Sequence, residues 1–198
     1  MSEGDRARAA QLGAAIGYDF EAAKFAASSV VIAGTPSDIA QALQEVLPDI
    51  APNDLVDILN EEAENAPQAE AVALHPYLTD LRARGLKLGV CTNDGEAPAR
   101  AHLAAARVTE LFDFIAGFDS GHGAKPAPGP LLAFAKSQGL APEHVAMVGD
   151  SLHDLKAGRA AGMQTIGVLT GMAGEADLAP FADVVFPDIG HIPAWLEG

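Results

Sequence analysis

Residues 144–163 read His-Val-Ala-Met-Val-Gly-Asp-Ser-Leu-His-Asp-Leu-Lys-Ala-Gly-Arg-Ala-Ala-Gly-Met. The apolar run Val145–Val148 has the length and flanks of a fully buried strand. Gly149 ends that run, and Asp150 and Ser151 are N-cap residues for a following helix. Leu152, Leu155 and the alanines then recur at helical spacing until Gly162, a natural stop. A strand running into a helix puts its first polar residue at the strand's carboxyl end, where open α/β sheets keep their ligand sites. Asp150 takes that place, and Asp154 follows one helical turn later on the same face. Two acids so spaced beside a sheet edge suit a hard cation such as Mg2+.

Outward from this unit the chain keeps alternating strand and helix. His75-Pro76 opens a helix through Arg84, and Lys87–Cys91 is a strand followed by the helix Pro98–Arg107. Phe112–Gly117 is a strand, Leu131–Ser137 a helix, Thr165–Leu169 and Val184–Phe186 strands, and the last helix lies near Pro193–Leu196. Such alternation predicts an α/β fold with a parallel sheet covered on both faces. Residues 1–72 are different. Ala9–Ile16, Asp38–Val46 and Asn53–Glu64 are helical in composition, the last with Leu55, Ile58 and Leu59 on one face. Ser28–Gly34 is a strand-like run. The expected division is a helical cap region over residues 1–72 and an α/β core over 73–198.

With 12 basic and 27 acidic residues, the 198-residue chain carries a formal charge of -15. That field disfavours nucleic acid and anionic membranes as partners. An anionic substrate therefore needs a metal ion or a well-placed Lys. One cysteine, Cys91, excludes an internal disulfide. No stretch is apolar enough to span a membrane, and Met-Ser-Glu-Gly-Asp-Arg is no signal peptide, so a cytoplasmic location is expected.

Two further places can carry chemistry. Thr92, with Asn93 beside it, is the first hydroxyl after the strand Lys87–Cys91, where a phosphate oxygen can be held. Lys125 lies in Gly-Ala-Lys-Pro-Ala-Pro-Gly-Pro, a segment stiffened by prolines that can aim an ammonium group. His75, His122 and His153 lack partners at metal-binding spacing, and Cys91 reads as core packing.

The phrase Gly-Asp-Ser-x-x-Asp-x-x-Ala-Gly-x-x-Ala-Gly-Met, with the strand Thr165–Leu169 after it, resembles the fourth motif of haloacid-dehalogenase-superfamily hydrolases. It is most like their phosphoglycolate-phosphatase-type branch. Thr92 and Asn93 resemble that family's second motif, and Lys-Pro-x-Pro at Lys125 its third. The resemblance implies a Rossmann-like parallel sheet and Mg2+-dependent hydrolysis of a small phosphomonoester. It further implies in-line attack by an Asp and an aspartyl-phosphate hydrolysed by water. Thr92, Asn93 and Lys125 would bind the phosphoryl group, Thr92 and Lys125 acting in catalysis, while Asp150 and Asp154 hold the Mg2+. Asp119 resembles a loop acid that positions the Lys.

The family's first motif, Asp-x-Asp-x-Thr, has no counterpart, since no Asp-x-Asp occurs in the sequence. Val184–Asp188 lacks the second Asp and the Thr. The expectation is that Met1 falls downstream of the natural start and that the chain as written is inactive. The alternative is a remnant that binds a phosphorylated ligand or a partner protein without turnover. The resemblance puts the missing strand centrally, between those ending at Thr92 and Asp150. The gap is then expected to close, to be filled by Ser28–Gly34 or another chain, or to leave an unstable product.

Overall fold

The computed structural model describes residues 3–26 and 28–197. The chain divides into two compact units after Asn65.

In the first unit, helix α1 (Glu3–Ile16) leads into an antiparallel hairpin of β1 (Tyr18–Asp19) and β2 (Lys24–Phe25), with Tyr18 opposite Phe25. The Asp19 carboxylate closes the hairpin loop by accepting the N–H groups of Glu21 and Ala22 at 2.8 and 3.0 Å. Three helices follow, α2 (Val30–Ala33), α3 (Pro36–Leu43) and α4 (Pro52–Glu64). Thr35 and Asp38 form a reciprocal cap at the start of α3, with Pro36 in the first turn. Ala40, Leu43 and Leu55 form the core, with Leu12, Ile16, Leu47 and Leu59 packed on it.

The strand expected at Ser28–Gly34 is instead the short helix α2. Ser29 decides this locally. Its hydroxyl accepts the Val31 N–H and donates to the Ile16 carbonyl, while the Gly34 N–H bonds the Val30 carbonyl. β-branched residues make a strand only where a partner strand receives them.

The second unit is the α/β part. Its elements run α5 (Leu74–Ala83), β3 (Gly89–Cys91), α6 (Glu96–Ala105), β4 (Phe114–Ala116), α7 (Gly129–Gln138), β5 (Ala146–Gly149), α8 (Leu152–Ala161), β6 (Gln164–Val168), α9 (Glu175–Leu178), β7 (Val184–Phe186) and α10 (Ile192–Trp195). All pairings are parallel. β3 pairs β4 with Val90 opposite Ile115, and β5–β6–β7 form a second sheet with Met147 opposite Thr165 and Ile166 opposite Val184. Among the described residues only β6 has a partner on each side, and Thr165–Val168 are buried accordingly. One apolar cluster serves both sheets. Leu131, Phe134 and Ala135 of α7 meet Ala157 and Ala161 of α8, and Cys91, Phe114 and Met147 pack against them. Among the described residues no helix is long and apolar enough to cross a membrane.

The parallel sheet is thus in two pieces. Thr92 N–H bonds the Ala116 carbonyl and Leu88 C=O accepts from Asp113 N–H, so even-numbered residues of this strand face β4. Gly89 and Cys91 therefore turn their peptide groups the other way. In β5, Val145 C=O accepts from Gln164 N–H, which leaves Ala146 and Val148 facing away from β6. Among the described residues no strand joins either edge. Among the described residues no β3–β5 ladder closes the expected gap, and Val30–Ala33 is a helix rather than a strand. Gly89 and Ala146 are exposed, so their peptide groups are open to water at far lower cost than burial would carry, while Cys91 and Val148 are half-buried.

Hydrogen–deuterium exchange measures this directly. Amides of Gly89, Cys91, Ala146 and Val148 are expected to exchange about 10-fold or more faster than those of Val90, Thr92 and Ile166. Equal protection in both sets would show that the two edges are paired.

Candidate active site

The carboxyl ends of β3 and β5 meet through side chains. Ser151 caps α8, its Oγ accepting the Asp154 N–H at 3.3 Å while Asp154 Oδ2 accepts the Ser151 N–H at 3.1 Å and hydroxyl at 2.7 Å. This reciprocal cap fixes the Asp154 side chain before any ligand is considered. Its other oxygen, Oδ1, accepts from Lys125 Nζ at 2.6 Å. The two side chains are 11% and 9% exposed, so the ion pair is buried.

Lys125 is also held by its main chain. Asn93 donates from Nδ2 to the Lys125 carbonyl at 2.9 Å, and its Oδ1 accepts the Lys125 N–H at 2.9 Å. A side-chain amide matched this way to one residue's peptide groups acts as a local strand partner. Thr92 sits one residue earlier. Its Oγ1 accepts the Asp94 N–H at 3.0 Å and donates to Asp94 Oδ2 at 3.3 Å, the second bond being long. Asp119 lies elsewhere than expected. Its Oδ1 accepts the Glu96 N–H at 2.9 Å and so caps α6, the helix that follows Thr92. The structure thus links Asn93, Lys125 and Asp154 in one chain of hydrogen bonds, with Thr92 next to Asn93 in sequence but bonded to Asp94, and Asp150 adjoining through Ser151.

Asp150 differs from Asp154. It accepts no hydrogen bond from another side chain among the described residues. Burial pushes its carboxyl above the ordinary value and the Asp154 charge adds to this, while its own N–H and Lys125 oppose the rise. Cys91 packs on the apolar cluster, and burial pushes its thiol up to about 11, which fits packing rather than nucleophilic chemistry. His122 lies against the Phe114 ring, 5.8 Å between centroids.

Whether these residues suit Mg2+ can be judged from their oxygens. Asp150 offers a half-buried carboxylate with no competing side chain, and Mg2+ is commonly held by one or two carboxylates with water and phosphate completing the shell. Asp154 does not fit as a partner ligand, because both of its oxygens are engaged. No group of three or more His, Cys, Asp or Glu residues among the described ones is arranged to hold a metal. The sequence places Ser151 as a cap but does not show that it binds the Asp154 carboxylate, nor that Asn93 holds the Lys125 backbone. Ser-x-x-Asp before an apolar helix was the available signal for the first. Nothing in the sequence announces the second.

Gly149 completes the arrangement. A Cβ there would lie 2.2 Å from Asp154 Cβ and 2.5 Å from its Oδ2, so only Gly lets the strand end this close to the cap.

Parallel strands that end on a buried Lys–Asp pair beside an unshared carboxylate define an α/β protein with a polar site at its sheet's carboxyl edge. The family model for haloacid dehalogenase-like hydrolases matches residues 18–168, and the chain belongs to that family. Phosphoglycolate phosphatase of Escherichia coli K12 is 34% identical over 128 residues, 62% of this chain and 51% of the relative. That of Rhodospirillum rubrum is 37% identical over 116 residues, 59% of this chain and 48% of the relative. The chain thus spans about half the length of the curated relatives it matches. A predicted phosphoglycolate phosphatase from Haemophilus somnus shares the fold, with a TM-score of 0.72 over 96% of this chain and 90% of that one at 21% identity. A family hydrolase from Deinococcus radiodurans, solved with bound phosphate and sodium, has a TM-score of 0.62 at 25% identity, covering 80% of this chain and 74% of its own.

Two outcomes follow from this geometry. Asp154→Asn or Lys125→Met strands a buried charge and is expected to cost about 3–5 kcal/mol in urea unfolding, with the double change Lys125→Met/Asp154→Leu recovering much of it. Losses within 1 kcal/mol would mean the pair is solvated. Asp150 behaves oppositely. An acid whose folded value is raised removes stability as pH climbs from its ordinary range through that raised value. Metal-free Asp150→Asn should therefore unfold at a higher temperature than the parent at pH 7, and the gap should close in acid. A lower midpoint at pH 7 would contradict the burial of this charge.

Proposed function

We propose that this site serves Mg2+-dependent hydrolysis of a small phosphomonoester. In this reading the Thr92 hydroxyl, Asn93 and the Lys125 ammonium hold the phosphoryl oxygens, and Asp150 holds the metal. Asp154 positions Lys125. The observation that carries it is the fixed Lys125 ammonium next to an unshared carboxylate at the carboxyl ends of two parallel strands. Asp154 takes one of the three Lys N–H donors, and two remain for an anion. Thr92 can exchange its long bond to Asp94 for a phosphate oxygen. Mg2+, when bound, supplies positive charge that polarises the phosphoryl group. A cation and a Lys are what an anionic substrate needs on a chain of formal charge -15. The similarity to phosphoglycolate phosphatases favours a small phosphorylated acid, with 2-phosphoglycolate the first to try.

The attacking carboxylate is not among these assignments, because the sequence has no Asp-x-Asp. That absence favours a second reading, in which these 198 residues bind a phosphorylated ligand without turning it over.

Calorimetry with inorganic phosphate and Mg2+ tests the binding that both readings share. Lys125→Ala is expected to weaken phosphate binding at least about 10-fold, in line with losing a charge-assisted contact. Turnover by the purified chain on a phosphomonoester panel should match Asp150→Asn. Joining a strand that ends in Asp-x-Asp-x-Thr ahead of Met1 should then give EDTA-sensitive turnover. Metal-independent turnover, or none, would overturn the hydrolase reading. Phosphate binding indifferent to Lys125 would overturn both.

A further inference from the structure

The loop after β6, residues 169–174, runs past Asp150 without making a hydrogen bond to it. A Cβ placed on Gly171 would lie 2.6 Å from Asp150 Cγ, 2.7 Å from its Oδ2 and 2.9 Å from its Cβ. Gly171 is not among the residues with positive φ, so its φ does not itself call for glycine. It is also exposed, as are its neighbours Leu169 and Met172 at 38% and 69%. Neither backbone strain nor core packing therefore asks for glycine here. The carboxylate does.

We propose that Gly171 is a positioning residue for Asp150, its bare backbone forming the wall that sets the direction of the carboxylate. The contact is with the root of the Asp150 side chain as well as its tip, so a methyl group cannot be accommodated by swinging the oxygens alone. The loop is held at both ends. Leu169 N–H extends the β6–β7 ladder to the Phe186 carbonyl at 3.0 Å, and Gly174 N–H is bonded by Asp177 Oδ2 at 3.0 Å as the cap of α9. With both ends tied, added bulk at 171 is relieved by displacing Asp150 rather than by withdrawing the loop. Gly149 stands in the same relation to Asp154, so each of the two acids is aimed by a glycine on a neighbouring segment.

The consequence for metal binding rests on the reading that Asp150 is the cation's ligand. Groups that orient a ligand, without touching the metal, change affinity by about 10–100-fold when altered. Mn2+ binding to the whole chain, followed by electron paramagnetic resonance, should be abolished in Asp150→Asn and weakened at least about 10-fold in Gly171→Ala. Gly174→Ala, whose Cβ would meet only Asp177 Oδ2 at 3.6 Å, should bind as the parent does.

A second measurement needs no metal. Thermal unfolding of Gly171→Ala, Asp150→Ala and the double variant forms a cycle. If the methyl group collides with the carboxylate, Asp150→Ala relieves it and the double variant unfolds above the additive expectation. Parent chain without Asp150-dependent Mn2+ binding would remove the metal reading and leave Gly171 to the cycle alone, where rescue supports its role and additivity ends it. Parent-like Mn2+ affinity in Gly171→Ala would overturn the proposal outright.

Discussion

The bond between Lys125 and Asp154 is the constraint on which the α/β unit depends. No ladder connects β3–β4 to β5–β6–β7 among the described residues. At the carboxyl ends of these strands, the tie is the Lys125 ammonium on one side and the capped Asp154 on the other. A buried ion pair earns stability only when its remaining valences are met. Here they are. Asp154 has Ser151 on its second oxygen, and Asn93 grips the Lys125 backbone. Beneath them, α7 and α8 share one apolar cluster that touches β3, β4 and β5. Helix packing and one polar chain thus do what strand pairing does in a continuous sheet.

Much of this was legible in the sequence, for physical reasons that also mark where it stopped being so. The strand–helix unit at Val145–Gly162 is signalled by a short apolar run, a cap residue and a C-terminal glycine, and the structure has β5, Ser151 as cap and Gly162 in the left-handed region. The parallel alternation after residue 74 was equally clear. The β1–β2 hairpin was not, because strands of two residues carry no periodicity to read. Helix α2 was read as a strand since Val-Val-Ile favours one, and the deciding bonds come from Ser29 and a carbonyl thirteen residues earlier.

Asp154 is the more instructive case. The spacing argument put Asp150 and Asp154 on one helix face as joint metal ligands. That rule holds only when both residues are helical, and Asp150 lies before the cap at Ser151. Asp154, in the first turn, reaches back to the cap instead of out beside Asp150. Spacing put the two acids side by side as equals, and the structure engages only Asp154 with Lys125 and Ser151. The partner that decides the matter, Lys125, lies 29 positions away.

The two acids divide their work because of what surrounds each. Asp154 has two Ser151 donors and a cation, so its charge is consumed internally and gives order. Among the described residues Asp150 has no such partners, and burial first, then the Asp154 charge, disfavour its ionised form, with Lys125 opposing them. A carboxylate in that position relaxes either by taking a proton or by taking a cation. At neutral pH, a hard cation is the better answer where an anionic ligand can share it. The Lys–Asp pair therefore does more than hold two sheet fragments together: it occupies Asp154 and leaves Asp150 as the carboxylate with no side-chain donor of its own among the described residues.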